Sequence, residues 1–347
     1  MHLPISVKYN LSHGFPEHWP TSLLEHDIIL PLCEQKQFDL VVNATWGFLE
    51  CEHPITGETS DKFRVTRDLV LNHGARNILF FNFVDPLYEH STWYEVLKEC
   101  QHKIGQDNIT TVGFIDTLKF KQDYEFPFWA IQLGDTFQNY EVGQILPVNN
   151  INNFFLCYNR KPTLHRVQLH DALERKGLLS KGVFTLGNED PAKIKMINLD
   201  NSTMPYENNN IHGNLNIPND THSLGPLEVW NSCFLVIVTE TDHNMTTGHP
   251  FLSEKIWKPL IGMRPFLCLG DKGTNRYLRD AGFHTFNAFF GCEDDLTVDQ
   301  MVKVIEDYRG IPADDYEKLR DKLEHNRRHF FSYSKTQRSI ALGLKID

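Results

Sequence analysis

The sequence predicts an α/β chain of two domains, each a parallel sheet covered by helices on both faces, with a cleft between them. Three observations predict it. Short apolar runs of strand length alternate with stretches whose apolar residues recur at helical spacing. The length, 347 residues, exceeds one typical core and suits two domains of about 150 residues each. The alternation pauses at the Asn-rich stretch 147–153, which reads as a hinge, and then restarts. The expected domains are therefore 1–147 and 148–347, with the last helices free to pack back on the first domain.

In the first domain, 38–43 (FDLVVN), 77–84 (NILFFNFV) and 110–115 (TTVGFI) read as buried strands, and 128–133 (FWAIQL) as a fourth. Between them, 61–73 and 91–103 show helical spacing of apolar residues. In the second domain, 153–158 (NFFLCY) is a strand and 163–176 a helix, started by Pro162 and Thr163 and stopped by Gly177. Residues 182–186 form a short strand. Residues 187–225, rich in Asn, Pro and Asp, form a long irregular stretch of the kind that carries function or motion. A strand–helix–strand unit follows at 234–270, with its helix at 252–263. Segments 274–281, 298–308 and 314–328 read as helices, the last strongly charged and solvated.

Composition narrows the function. Hydrophobic residues make up 41% and charged residues 23%, both ordinary for a soluble globular protein. The formal net charge of −11 repels polyanions on average and lowers the expectation of a nucleic-acid partner. The seven cysteines are scattered and form no CxxC pair, as expected of buried, reduced thiols in a cytoplasmic protein. The N-terminal residues lack the basic and apolar regions of a signal peptide. No run of about 18 apolar residues is present, so no membrane span is expected. There is no Gly-x-Gly-x-x-Gly after the early strands and no Walker loop, which argues against a dinucleotide-dependent dehydrogenase and a P-loop enzyme. The 17 histidines show no metal-ligand spacing, and no metal is expected.

The polar residues of the 234–270 unit gather where its first strand ends and its helix begins. In open α/β sheets ligands bind there. Ile256, Leu260 and Met263 mark the buried face of the helix, with Glu254, Lys255 and Lys258 off it. A cation in the first turn opposes the helix dipole. Lys255 is thus poorly placed for stability and well placed to help free N–H groups hold a phosphate. The competing reading is a Glu254–Lys258 pair at i, i+4 with Lys255 solvated. The helix from 163 repeats the pattern: Asn159, Arg160 and Lys161 follow a strand, and His165 and Arg166 fall in the first turn. Arginine suits bidentate phosphate binding. If the two strands are neighbours, these basic groups converge on one phosphate pocket. Glu240 and Asp242 end the 234–242 run and are placed to accept ribose or sugar hydroxyls, or to cap a turn. In the first domain, Glu50, Glu52, His53 and Asp85 follow strands and are candidates for a general base.

The segments Val238-Thr-Glu-Thr, Phe251-Leu-Ser-Glu-Lys-Ile-Trp-Lys-Pro, Arg264-Pro-Phe and Tyr277-Leu-Arg-Asp-Ala-Gly-Phe-His-Thr-Phe286 resemble the donor-binding half of GT-B glycosyltransferases. They are most similar to the α-1,3-fucosyltransferase-like group and to related proteins of bacteria and their viruses. The resemblance covers roughly residues 150–290, and its most specific part is 251–266. It implies two Rossmann-like domains facing a cleft. It also implies that Glu254 binds the nucleotide ribose and Lys255 the diphosphate, with Ser253 in place of the family's Thr. Asn159, Arg160 and Arg166 match an upstream basic junction by position and character, and Glu240 resembles the acidic residue before the Glu-Lys segment.

The activity so implied is a metal-independent, inverting transfer of a sugar from a nucleoside-diphosphate (GDP- or UDP-linked) sugar to an acceptor hydroxyl. The donor is a co-substrate, and no further cofactor is expected. Glu50, Glu52 and Asp85 are the candidate general bases. The acceptor is expected to be a surface glycan or lipid-linked sugar, with modified viral DNA as a further option, and the location the cytoplasm of a bacterium or of a virus-infected cell. A nucleotide-sugar epimerase or hydrolase on the same fold, or a non-catalytic nucleotide-binding module, are the alternatives.

Overall fold

The structure, a computed structural model, describes residues 7–11, 29–44, 50–82, 92–113, 122–124, 127–137, 151–159, 162–186, 195–197, 224–225, 227–241, 243 and 250–342. It is a mixed α/β protein with parallel sheets. The chain divides into two compact units. The first holds Met1–Ile131 with Lys335–Asp347, and the second holds Gln132–Ser334. No helix among the described residues is long and apolar enough to cross a membrane. All seven cysteines are free, five of them buried.

The first unit is built on a five-stranded parallel sheet. Its strands are β1 (Tyr9–Leu11), β2 (Leu40–Asn43), β5 (Ile78–Asn82), β6 (Ile109–Gly113) and β7 (Gln122–Tyr124), in that spatial order. Every residue of β2, β5 and β6 is buried. That is why these strands read as continuous apolar runs: a parallel sheet is covered on both faces. Leu40, Val42, Ile78 and Phe80 pack on one face with Val65 and Leu69 of α2 (Lys62–Leu71) and Trp93, Val96 and Leu97 of α3 (Thr92–Ile104). Val41, Leu79, Phe81 and Val112 point the other way. They meet Leu32 and Cys33 of α1 (Leu30–Gln35) and Phe128 and Ile131 of α4 (Phe128–Phe137). Asp61 caps α2 by accepting from Arg64 N at 2.7 Å. A separate antiparallel ribbon pairs β3 (Glu50–Glu52) with β4 (Thr59–Asp61).

The second unit carries another five-stranded sheet: β8 (Asn153–Cys157), β9 (Gly182–Leu186), β10 (Lys195–Ile197), β11 (Cys233–Thr239) and β12 (Phe266–Leu269). The spatial order is β10-β9-β8-β11-β12, parallel except for β10. From β8 the chain first builds outward through α5 (Leu164–Arg175) to β9. It then returns to β8's other side, with α6 (Leu227–Ser232) leading into β11, and continues through α7 (Glu254–Ile261) to β12. The strand order therefore reverses between β8 and β11. The order in the first unit rises steadily with no such reversal among the described strands. Helices α8 (Thr274–Asp280), α9 (Val298–Asp307) and α10 (Pro312–Leu342) complete the described chain.

The C-terminus of α7 is set by a close approach. A Cβ on Gly262 would lie 2.4 Å from the Trp230 ring. Glycine is needed there, so the left-handed turn residue that follows is Met263, at φ 51°. Arg264 then enters the core at 1% exposure.

Two sequence expectations are corrected. Residues 128–133 are the start of helix α4, not a strand. Phe128, Ala130, Ile131 and Leu133 are all buried, and a short run interrupted only by the buried Gln132 has no period by which to tell helix from strand. Pro127, just before the helix, is the local signal that favours it. The last helix is not a short solvated one over 314–328. It runs Pro312–Leu342 and buries Tyr316, Leu319, Leu323, Phe330 and the polar Asn326, Arg327 and Ser334 along one stripe. Dense charge on its other faces hid that stripe. Residues 147–150 of the proposed hinge and most of 187–225 lie outside the described residues; within the latter, β10 and residues 224–225 are described.

Candidate functional site

The reversal between β8 and β11 fixes the place. In an open α/β sheet the connections on the two sides of a reversal leave in opposite directions and open a crevice at the strands' carboxyl ends. Asn159 follows β8 there, and Glu240 follows β11. The first turns of α5 and α7 lie at the same end, so the basic groups that the sequence assigned to two separate junctions are neighbours.

Asn159 is fully buried and ties the strand ends together. Its N–H donates to Thr185 Oγ1 at 2.9 Å, and its Oδ1 accepts from Thr239 Oγ1. The main-chain carbonyl of Glu240 accepts from His165 Nε2 at 3.0 Å and from Arg166 Nη2 at 3.1 Å; Arg166 Nη2 also reaches Thr239 O at 2.7 Å. These carbonyls at the end of β11 explain why α5 tolerates basic residues in its first turn. Arg166 is 3% exposed and brings a permanent charge to these strand ends. His165 brings none at neutral pH. Burial, with Arg166 and His243 adding repulsion, pushes its pKa down to about 4. The His243 ring stacks on it at 5.2 Å, a contact that the sequence did not suggest.

The side chain of Glu240 turns to α7. Its carboxylate accepts from Ser253 N at 3.2 Å and from the Ser253 hydroxyl. Ser253 is the N-cap of α7, and its Oγ accepts from Lys255 N at 3.3 Å and from Lys255 Nζ at 3.0 Å. Lys255 Nζ also pairs with Glu254 Oε1 at 2.8 Å. Gly270 leaves the space: a Cβ there would lie 3.2 Å from Glu240 Cγ. Lys255 is therefore neither solvated nor opposed to the dipole alone, since Glu254 and Ser253 neutralise and hold it.

The two carboxyls titrate in opposite directions. Burial raises Glu240 to about 7, against the pull of Lys255. Burial also acts to raise Glu254, but Lys255 and Lys258 outweigh it and bring that group to about 2. For Glu240 the folded value lies above its ordinary 4.5. Its contribution to stability is full below the unfolded pKa and is lost as pH rises through the folded one. The Glu240→Gln variant should therefore lose less melting temperature than wild type between about pH 5 and pH 8. Parallel pH profiles of the two proteins would remove the assigned burial effect.

Arg160 and Asp85 lie outside the described residues, as do Lys161 and Asp242. Glu50 and Glu52 project from the exposed face of the β3–β4 ribbon. His53, beside them, is buried and structural. Its Nδ1 accepts from Ile55 N and Thr56 N at 3.2 and 3.3 Å, so Nε2 carries the proton and donates to Asp68 Oδ2 at 3.0 Å.

Metal-ligand types gather at two places among the described residues: His53, Asp68 and His73, and His170, Asp171 and Glu174. The first has the wrong tautomer for a cation, because the two backbone donors occupy the ring nitrogen that a metal-bound imidazole needs protonated. In the second, His170 Nδ1 is bound to Asp171 at 2.9 Å, and the two acids are solvent-facing. Neither group includes a residue of the Glu240–Ser253–Lys255 cluster.

Comparison with protein-family models, with curated proteins and with solved structures returned no match for this chain.

Arg264 was read from the sequence as part of the donor-binding pattern. It is buried, and its guanidinium donates to Cys233 O at 2.8 Å, Met263 O at 3.0 Å, Trp230 O at 3.3 Å and Gly262 O at 3.4 Å. Its work is structural.

Proposed function

We propose that the second unit binds a nucleoside-diphosphate sugar at the reversal between β8 and β11, and that the chain transfers the sugar to an acceptor hydroxyl, as a GT-B glycosyltransferase of two Rossmann-like units. The observation that carries the reading is the meeting of two helix starts and two cations, Arg166 and Lys255, around Glu240 at adjacent strand ends. The resemblance of 251–266 to the fucosyltransferase-like donor segment supports it.

The chemistry asked of such a site is electrostatic. As the glycosidic bond breaks, negative charge grows on the diphosphate. Preorganised donors aimed at that charge lower the barrier, because they need no reorganisation at the moment of reaction. Lys255 Nζ already stands at the start of α7, held by Ser253 and Glu254. The first-turn N–H groups of α5 add to it, since Thr163 makes no side-chain cap there. Glu254 is the ribose ligand by resemblance, and its ionised state suits acceptance of two hydroxyl protons. Inversion needs a base for the acceptor hydroxyl, and Glu50, Glu52 and Asp85 are the candidates. The acceptor is a glycan or lipid-linked sugar hydroxyl.

A ligand that binds the native state raises its melting temperature. At a hundredfold excess over Kd the gain is about 2.7 kcal/mol. GDP or UDP, or one of their common sugar conjugates, should produce such a shift, and mass spectrometry of donor–acceptor mixtures should show the glycosylated product. No shift with any of them would sink the reading. Donor breakdown without an acceptor would replace transfer by hydrolysis or epimerisation.

A further inference from the structure

The Glu240–Ser253–Lys255 chain is complete without a ligand, and its hydrogen-bond inventory shows what an incoming anion must change. Ser253 Oγ has one proton and two acceptor positions. The proton goes to Glu240 Oε2, and the acceptor positions take Lys255 N and Lys255 Nζ. As long as Glu240 is ionised, the Ser253 hydroxyl has nothing to give a phosphate. A diphosphate would also bring its charge beside a buried carboxylate.

We propose that the diphosphate-bound protein carries a proton on Glu240, so that binding takes up one proton and turns Ser253 from a donor to Glu240 into a donor to the ligand. The proposal rests on the reading of this site as a diphosphate site. The exchange balances. Lys255 Nζ swings from Ser253 Oγ to a phosphate oxygen and vacates one acceptor position. A solvent proton joins Glu240 Oε2, and the new O–H donates into that position. The Ser253 proton, released from Glu240, donates to the phosphate. Glu240 Oε1 keeps Ser253 N throughout.

The surroundings favour this state. Glu240 is 1% exposed and pays a desolvation cost only when charged. The charged groups that face it are Lys255 and Glu254 on α7 and Arg166 on α5. Glu254 disfavours a second negative charge. Lys255 favours it, and leaves when it turns to the ligand. Arg166 acts through its bonds to the Thr239 and Glu240 carbonyls. His165, the other titratable group on this turn of α5, stays neutral near pH 7. Past β12, Cys268 and Asp271 face the same buried region; Asp271 Oδ2 accepts from Phe251 N at 3.2 Å. A buried carboxylic acid kept neutral as a hydrogen-bond donor is established chemistry at enzyme sites.

The test is calorimetric titration of the full chain with GDP, UDP and inorganic pyrophosphate, at about pH 8, in buffers of different ionisation enthalpy. Wild type should take up about one proton per ligand, and its Kd should weaken about tenfold per pH unit above 7. Glu240→Gln should lack that extra tenfold weakening per pH unit and take up about one proton fewer than wild type, a comparison that cancels protonation of the ligand itself. Equal uptake in the two proteins, or none in wild type, overturns the proposal. Infrared difference spectra of wild type give a second readout: a protonated-carboxyl band should appear on ligand addition, and its absence overturns the proposal without recourse to a variant. Binding of pyrophosphate alone would remove the nucleotide-sugar reading while leaving the proton count to be read. If none of the three binds, both fall.

Discussion

Replacing Lys255 by Ala is expected to lower sugar transfer by roughly 10²–10³-fold, the loss seen when one preorganised donor to a developing anion is removed. Lys255 is the cation at the start of α7. Its Nζ is held at 3.0 Å from Ser253 Oγ and 2.8 Å from Glu254 Oε1, so little reorganisation separates its resting position from a phosphate contact. The fold should survive. The side chains of Lys255 and Glu254 are only 24% and 12% exposed, so removing the cation costs more than at a surface pair, on the order of 3 kcal/mol. For a unit of this size that is a melting shift of about 6–12 °C. The control is Lys258→Ala, one turn further along α7, where a much smaller loss is expected. Near-wild-type transfer by the Lys255 variant, with a donor whose turnover is established, would remove the assigned role. Loss of transfer together with loss of the folded state would also deny it, by making the residue structural.

Arg264→Met is expected to cost the second unit about 3 kcal/mol or more, measured as a fall in the urea midpoint at unchanged slope. Methionine replaces much of the buried stem but none of the donors. Four main-chain carbonyls, of Trp230, Cys233, Gly262 and Met263, would lose a charged partner inside the core, and of these Gly262 O keeps the Trp230 Nε1 donor at 2.9 Å. Each buried acceptor left unmet costs on the order of 1–3 kcal/mol. The Tyr316 ring, 5.1 Å from the guanidinium carbon, would lose a cation–π contact as well. Arg264→Lys should fall between the two, because an ammonium carries the charge but not the planar fork that spans Trp230–Cys233 and Gly262–Met263. A midpoint change equivalent to less than about 1 kcal/mol in the Met variant would show that water or rearranged side chains satisfy those carbonyls.

Much of the architecture was legible from local pattern. The runs that became β2, β5, β6, β8, β9, β11 and β12 are apolar and flanked by polar or glycine residues. Helices α2, α3 and α5 begin and end within two residues of their expected places, because Asp61, Thr163 and Gly177 are local stop and start signals. The helix expected at 252–263 is α7, with Ser253 as its N-cap. What failed did so for a physical reason. Residues 128–133 are apolar except for Gln132, so they carry no period. The stripe of α10 is diluted by charges on three faces. The buried Arg264 looks like any surface arginine in a one-dimensional pattern, since its partners are carbonyls supplied by segments 30 residues and more away as well as by its own turn.

The site divides in the same way. Arg166 and Lys255 were visible as cations where helix dipoles disfavour them, with the polar Asn159, Glu240, Ser253 and Glu254 beside them, and the sequence by itself determined that much, along with the β–α–β order of the second unit. Strand order was beyond it. Which strands pair depends on how every apolar face is covered at once, not on the strand's own residues. Only the tertiary structure put β8 beside β11, and so brought Arg166 and His165 onto the Glu240 carbonyl and Ser253 onto its carboxylate. The fate of each charge was decided there too. Arg166 and Arg264 are both buried and both bind main-chain carbonyls, yet one stands at a strand reversal and the other ties the end of α7 to the start of β11. Which carbonyls each one meets sets that difference, and that belongs to the folded neighbourhood.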